Sequence, residues 1–356
     1  MNKVENFKNQ LPKNELGVAL IIVLLVIALG SILVINLTQS TYRDALLNNA
    51  SVKRLQAEYL LKSTINFARI LIAQDASPDL DSPKDSWAQF SKGQAIPVPE
   101  LLGINEPGLN IEIEIQAEDN KLPIRALISG DGPSGIVGEN EKKWRDATVR
   151  LFEKLGFDDD EKEIDHTKTF PNKHFDSKEL VALLIDFMDH DSDSYEDPEF
   201  SRGFEGDLAP DFFPNVRLKR IGELVTVPGF TPARLRKLTP LITVFENSRI
   251  NINLSPPIIL ESLNEEIDST ASKAIMEKRA SEDPFSTQNL NSDLIDIIGS
   301  DAKNYVATMI KVNSGWFQIL AKVDYGTTTY FMRTFVSRNL SREPGALPQI
   351  KSVELF

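Results

Sequence analysis

Twenty residues from Val18 to Leu37 carry no charge. At ~1.5 Å rise per residue they cover ~30 Å, the hydrocarbon thickness of a bilayer. Beyond them, apolar residues recur at Leu46, Leu47, Ala50, Ala57, Leu60, Leu61, Ile65, Ala68, Leu71 and Ile72, a spacing that makes one stripe on a helix. No proline lies between Val18 and Ser77. The pattern predicts one continuous helix ~80 Å long, its first half in the membrane and its second half packed on a domain.

After a Pro-, Ser- and Gly-rich stretch over 77–107 with room for one short helix, the pattern changes period. "LNIEIEIQAE" alternates, placing Ile111, Ile113 and Ile115 on one face of a half-exposed strand. "KLPIRALIS" offers a short or edge partner, limited by Pro123. A helix is predicted from about Glu141 to Leu155. Another opens at Asp176, whose capping-box partner would be Glu179. "RLKRIGELVTVPGFTPARLRKLTPLITV" reads as two helices joined at Pro228-Gly229. In "RININLSPPIILESL" a short strand feeds a helix that Pro256 and Pro257 open. "NYVATMIKVNS", "GWFQILAKVDYG" and "TTTYFMRTFVSR" alternate and are separated by turn signals, which predicts a three-stranded antiparallel meander. The tail from 341 is expected to be loosely held. Sheet-forming pieces thus flank a helical middle, as in one sheet interrupted by an insertion.

Charge sharpens this picture. Phe157–Asp211 holds 18 acidic and 5 basic residues, so the chain's net charge of −13 is concentrated there. Such a block attracts cations or basic partners and repels nucleic acid, unless it is simply a solvated loop. With no cysteine, disulfides and thiolate metal sites are excluded. Lys3, Lys8 and Lys13 precede the apolar run, so the N-terminus is expected in the cytoplasm and the bulk exported. The run is too long for a secretory h-region and lacks a small-residue cleavage site after it. On these facts alone an uncleaved signal anchor accounts for it.

Asp189-x-Asp191-x-Asp193 sets three carboxylates just past a predicted helix end, where unpaired carbonyls are already negative. Hard oxygen ligands in that place suit calcium. The loop is not an EF-hand: Ser194 stands where the glycine would be and Phe200 where the glutamate would be. A helix–hairpin–helix turn at "VPGF", with Arg217, Lys219, Arg220, Arg234, Arg236 and Lys237 nearby, is the best argument for DNA. Thr231 replaces the second glycine such hairpins use, and the acidic block adjoins, so a packing element is the preferred reading. Gly130-x-Gly132-x-x-Gly135 matches a dinucleotide fingerprint, but Pro133 and the lack of a following acidic strand end make it a domain junction. Catalysis finds no support: His166, His174 and His190 form no metalloprotease motif, Ser134 lacks a nucleophile elbow, and Asp186 with Asp189 is a pair any acidic loop supplies. No enzyme is expected.

The leader ending at Gly17, the uncharged helix after it, the amphipathic extension and the C-terminal strands together resemble a type IV pilin-like precursor. "LLIDFMDHDSD" and "INLSPPIILESL" narrow this to a resemblance to minor pseudopilin K of the type II secretion system, spanning Lys13 to Arg338. The resemblance implies cleavage between Gly17 and Val18 by prepilin peptidase, with methylation of the new amine. Most pilins carry a glutamate five residues after the cut; here that position is Ile22. A carboxylate in a low-dielectric fibre core needs a partner amine, so a subunit lacking it suits the tip, where no such neighbour exists. A bare anchor would lack the glutamate as well. The family binds calcium in the acidic loop, which adds Glu196, Asp197, Glu205 and Asp207 as candidate ligands beside Asp189, Asp191 and Asp193.

The expected fold is α+β and pilin-like: a long N-terminal helix packed on an antiparallel sheet, with a large helical insertion resembling SAM or helix–hairpin–helix domains. The expected map is a leader over 1–17, a transmembrane half-helix over 18–40, the first αβ part over 41–130, the insertion over 131–303, a β-meander over 304–340 and a tail over 341–356. Implied partners are I-, J- and H-like minor pseudopilins, the major pseudopilin, prepilin peptidase and an exported substrate. The implied location is the inner membrane of a Gram-negative bacterium with the C-terminal domain in the periplasm. The insertion's bulk also favours an end position, because a lateral one would collide with neighbours. A membrane-tethered DNA-binding protein, a membrane-anchored hydrolase using the aspartates, and a type IV pilus tip subunit are the competing readings.

Overall fold

A computed structural model describes residues 13–75, 77–97, 103–104, 107–128, 138–159, 162–209, 212–245, 249–338 and 346–356. Residues 1–60 and 61–356 form two compact units. The predicted single helix is present as α1 (Lys13–Ala73). It contains a window of mean hydropathy 3.4, long and apolar enough to cross a membrane. Two of its hydroxyls bond back to the helix: Ser31 donates to the Ile27 carbonyl and Thr38 to that of Val34, each at 2.8 Å. That back-bonding removes most of the cost of a hydroxyl in hydrocarbon.

In the second unit, the elements after α1 run β1 (Gln94–Ile96), β2 (Leu109–Ala117), β3 (Leu122–Pro123), α2 (Glu139–Lys154), α3 (Ser177–Met188), α4 (Pro232–Leu238), β4 (Ile242–Thr243), β5 (Ile250–Asn251), α5 (Pro257–Leu263), α6 (Ser269–Ala280), α7 (Leu290–Val306), β6 (Ile310–Lys311), β7 (Trp316–Tyr325), β8 (Thr328–Ser337) and β9 (Gln349–Leu355). The main sheet is antiparallel with order β1-β2-β7-β8-β9. Alternation builds it. Ile111, Ile113 and Ile115 sit opposite Val323, Ala321 and Ile319 and share one buried face with Phe317, Met332 and Val336. The last turns of α1 bury Leu61, Ile65, Ala68 and Ile72 at helical spacing, and Arg69 donates to the Pro348 carbonyl beside β9 at 2.9 Å. This is the expected helix on an antiparallel sheet.

Three expectations need correction. "NYVATMIKVNS" is not a strand of the meander: Asn304–Val306 end α7, and only Ile310–Lys311 is extended, pairing in parallel with β5. The place beside β7 belongs to β2 instead. Second, "KLPIRALIS" does not join the main sheet. Leu122–Pro123 pairs in parallel with β4, and Ile124–Leu127 turns into 3-10 helix. Third, the tail forms β9, antiparallel to β8 with a bulge at Phe335/Val336, because its I-x-x-V-x-L spacing satisfies an open sheet edge.

The insertion leaves and rejoins the sheet at one point. Ala117 at the end of β2 is paired with Phe317 at the start of β7. Fully buried Asp119 accepts the backbone N–H groups of Gly315 at 2.9 Å and Trp316 at 2.8 Å, and pairs with Lys311 at 2.6 Å. One carboxylate thereby fastens both ends of the helical domain. The domain's core runs from Leu122 to Val312 around Trp144, Phe152, Phe175, Phe230 and Phe285, so Leu122, Ile124, Met309 and Ile310 belong to it and not to the sheet. The 130/131 and 303/304 divisions thus cut inside this core. The Pro228-Gly229 turn follows a 3-10 segment, Ile221–Thr226, where an α-helix was expected.

Candidate metal centre

The site hangs on α3. Asp176 caps its start, accepting from the Glu179 N–H at 2.8 Å while Glu179 accepts from the Asp176 N–H, as expected. Eight consecutive buried residues, Leu180 to Phe187, fix the helix in the core, so its C-terminal end presents Asp186 and Asp189 at a defined place.

Asp186 is wholly buried and organises the loop. It accepts backbone N–H groups from Tyr195 at 2.7 Å, Phe204 at 2.6 Å and Glu205 at 3.0 Å. A Cβ at Gly203 would stand 2.2 Å from its carboxylate, which is why a glycine is there. Folding the loop on Asp186 brings residue 205 back over residues 189–191. Carboxylate oxygens of Asp189, Asp191 and Glu205 then lie within 4.8 Å of one another.

No arginine or lysine among the described residues pairs with Asp189 or Glu205. Asp189 is 5% exposed, and neither of its oxygens has a hydrogen-bond partner among the described residues. Burial, then the charges of Asp191, Asp186, Glu205 and Asp193, push its carboxyl up to about 8. Glu205 rises to about 7, again chiefly through burial. Two buried oxygens with nothing to receive are costly unless a proton or a cation meets them.

The other candidate ligands are held elsewhere. Asp197 pairs with Arg145, which also donates to the Tyr195 hydroxyl at 2.9 Å. Glu196 and Asp207 flank exposed Arg202, at 3.9 and 3.4 Å. Asp193 is exposed; its N–H donates to Asp191 Oδ1 at 2.8 Å, closing a turn. Sequence reasoning missed Asn215. Its amide nitrogen donates to Glu205 Oε1 at 2.9 Å and to the Asp191 carbonyl. A lone asparagine 22 residues past the triplet gives no signal in sequence.

Gly17, Val18 and Ile22 all lie on exposed α1. The Gly130–Gly135 fingerprint lies outside the described residues. Three of the six basic residues near the hairpin, Arg217, Arg234 and Lys237, donate to backbone carbonyls, while Lys219, Arg220 and Arg236 are exposed. Arg234 is 1% exposed and donates to the carbonyls of Gly229, Phe157 and Phe175. Lys237 caps α2 through the Leu155 carbonyl, and Arg217 reaches that of Ile128. Gly229, at φ 81°, faces Leu180 and Phe175, so the turn points into the core.

A second acidic group, Asp75, Asp81 and Asp85, also brings oxygens together. Here the chain supplies the cation: Arg338 pairs with Asp75 at 2.9 Å and with Asp81, and also donates to the Ser314 carbonyl.

Within residues 61–356, the last turns of α1 packed on an antiparallel sheet, with a helical domain emerging between two adjacent strands, make a pilin-like fold. Residues 120–247 match the family model described as type II secretion system, protein K. No curated protein matches the chain. Among solved structures it is similar to a chain of the GspK-GspI-GspJ complex from the type 2 secretion system of enterotoxigenic Escherichia coli. The TM-score is 0.60 and the identity 15%, covering 87% of this chain and 99% of that one. The family model matched over residues 120–247 is the one that the sequence motifs resemble, and the solved structure shares this chain's fold.

Proposed function

We propose that this chain is the non-enzymatic tip subunit of a type II secretion pseudopilus, built with other minor pseudopilins, and that calcium holds its acidic loop. The observation that carries the reading is where the family match falls: residues 120–247 take in most of the insertion and all of the acidic loop. A pilin-like anchor alone would fit many subunits; this insertion is what sets the chain apart.

Maturation follows from the same reading. Prepilin peptidase cuts after Gly17, and the amine of Val18 is methylated. The trimmed helix stays in the inner membrane with its domain in the periplasm until assembly draws it out. With Ile22 in place of a glutamate, the helix brings no carboxylate that needs a neighbour's amine, so it enters first. I- and J-like minor pseudopilins are its expected partners, as in the complex of the similar structure.

The donor chemistry fits calcium. Asp189, Asp191 and Glu205 would hold it, all through oxygen. A bound divalent ion supplies the counter-charge that turns a repulsive, buried carboxylate group into a cross-link between the end of α3 and the returning loop.

Mass spectrometry of the native N-terminus, in cells with and without prepilin peptidase, tests the reading. Expected are a methylated Val18 in the first and Met1 retained in the second, with loss of secretion and of co-purification with the I- and J-like subunits. A chain that keeps Met1 in wild-type cells, or that labels evenly along the filament, contradicts it.

A further inference from the structure

Beside the cation site lies an open pocket of about 570 Å³, lined by Phe187, Phe212, Phe213, Pro214, Val216 and Lys219 among others. The two share their framework. Phe187 lies two residues before Asp189 on the end of α3, and packs edge-to-face on Phe213 at 5.7 Å. Asn215 sits between two wall residues, Pro214 and Val216, yet its side chain points away to Glu205 and the Asp191 carbonyl. Its own carbonyl meets His190 Nδ1 at 3.0 Å.

Its amide oxygen is buried without a partner among the described residues. The nitrogen bridges two oxygens, Glu205 Oε1 and the Asp191 carbonyl, at the site proposed above to hold calcium. Amide oxygen and nitrogen exchange places by a half-turn of the side chain's last torsion. That turn puts a neutral carbonyl-type oxygen beside Glu205 Oε1 and the Asp191 carbonyl, a donor calcium accepts from asparagine. The backbone prepares the position: φ is 50° at Asn215, a left-handed conformation that asparagine tolerates better than most residues.

We propose that Asn215 is a calcium ligand that turns its amide on binding and so couples the metal to the wall of the apolar pocket, residues 212–216. Resting on the calcium reading above, this makes the ion a determinant of pocket shape as well as of loop stability.

The chain has no cysteine, so Val216→Cys, at a position 42% exposed, takes a single environment-sensitive dye. Full-length protein in detergent micelles is titrated with calcium, following dye emission and calorimetric heat. Expected is an emission change with the calorimetric midpoint. Asn215→Gly, which keeps the left-handed backbone, weakens calcium about tenfold and removes the emission change, within the ~10–100-fold range for losing a supporting group at a metal site. Asn215→Asp, which restores an oxygen, recovers both. If Asn215→Gly binds and responds as the parent does, or if Asn215→Asp fails as Asn215→Gly does, Asn215 is no ligand and the coupling is refuted while the calcium reading stands. The same holds if calcium binds with heat but leaves the dye unmoved. Absence of calorimetric binding to the parent protein would instead remove the calcium reading, and this inference with it.

Discussion

Two groups of three carboxylates, each partly buried, lie in the unit 61–356, and they differ in what faces them. At Asp75, Asp81 and Asp85 the fold brings Arg338 across from the end of β8 and pairs it with Asp75 and Asp81. At Asp189, Asp191 and Glu205 the nearby arginines are engaged elsewhere, Arg145 with Asp197 and Arg202 with Glu196 and Asp207. The first group is a finished internal clamp. The second has no such pairing for Asp189 or Glu205 among the described residues, and on the calcium reading proposed above an ion from solution completes it. Asp81, although paired, is still pushed up to about 7 because burial outweighs Arg338. Asp189, with no such partner, goes further, to about 8.

The largest effect should come from breaking the internal clamp. Arg338→Met leaves Asp75 and Asp81 buried beside each other, and removal of one partner from a buried pair costs ~3–5 kcal/mol. Denaturant unfolding of the full chain should show this loss, and calcium should not restore it. Next comes Asp189→Asn. Without metal, at pH 8.5, it should unfold no earlier than the parent, because a repelling charge has gone. Calcium protection, ~2.7 kcal/mol at a hundredfold excess over Kd in the parent, should disappear. Loss of stability in the metal-free variant would mean that Asp189 has a counter-charge within the chain.

Acidity sharpens the contrast further. Asp189 and Glu205 have folded values near 8 and 7, above those of an unfolded carboxylate. Their contribution favours the metal-free fold below about pH 4 and is lost as pH rises through 7 to 8. Protons and calcium compete for the same oxygens, so the calcium-induced rise in Tm should be greater at pH 8.5 than at pH 6. An equal rise at both would place the metal elsewhere. The smallest effect is expected at Glu196→Gln, on the exposed pair with Arg202: calcium Kd should change by less than about twofold.

Much of this was legible in sequence where the signal is local. The long helix, the cap at Asp176, the alternation of β2, β7 and β8, and the Asp189 triplet each depend on residues a few positions apart. What was not legible depends on distance along the chain. No local pattern singles out Asp119, yet it fastens Gly315 and Trp316, nearly two hundred residues on. Asp186 was weighed as one half of an acid pair, yet it is spent on three backbone N–H groups. Glu196, Asp197 and Asp207 were candidate ligands through the family resemblance, and pairing with Arg202 and Arg145 engages them elsewhere. Arg234 looked like a surface cation because composition cannot show that three carbonyls surround it. Edge strand β9 was read as tail because a strand's partner is invisible until the sheet exists.

Calorimetric titration of calcium into the metal-stripped full-length chain in micelles at pH 8, beside its Asp189→Asn variant, tests the central contrast most directly. The account predicts saturable binding by the parent and none at the acidic loop in the variant. Equal heats for both, or none for either, would contradict the claim that this loop takes its counter-charge from solution.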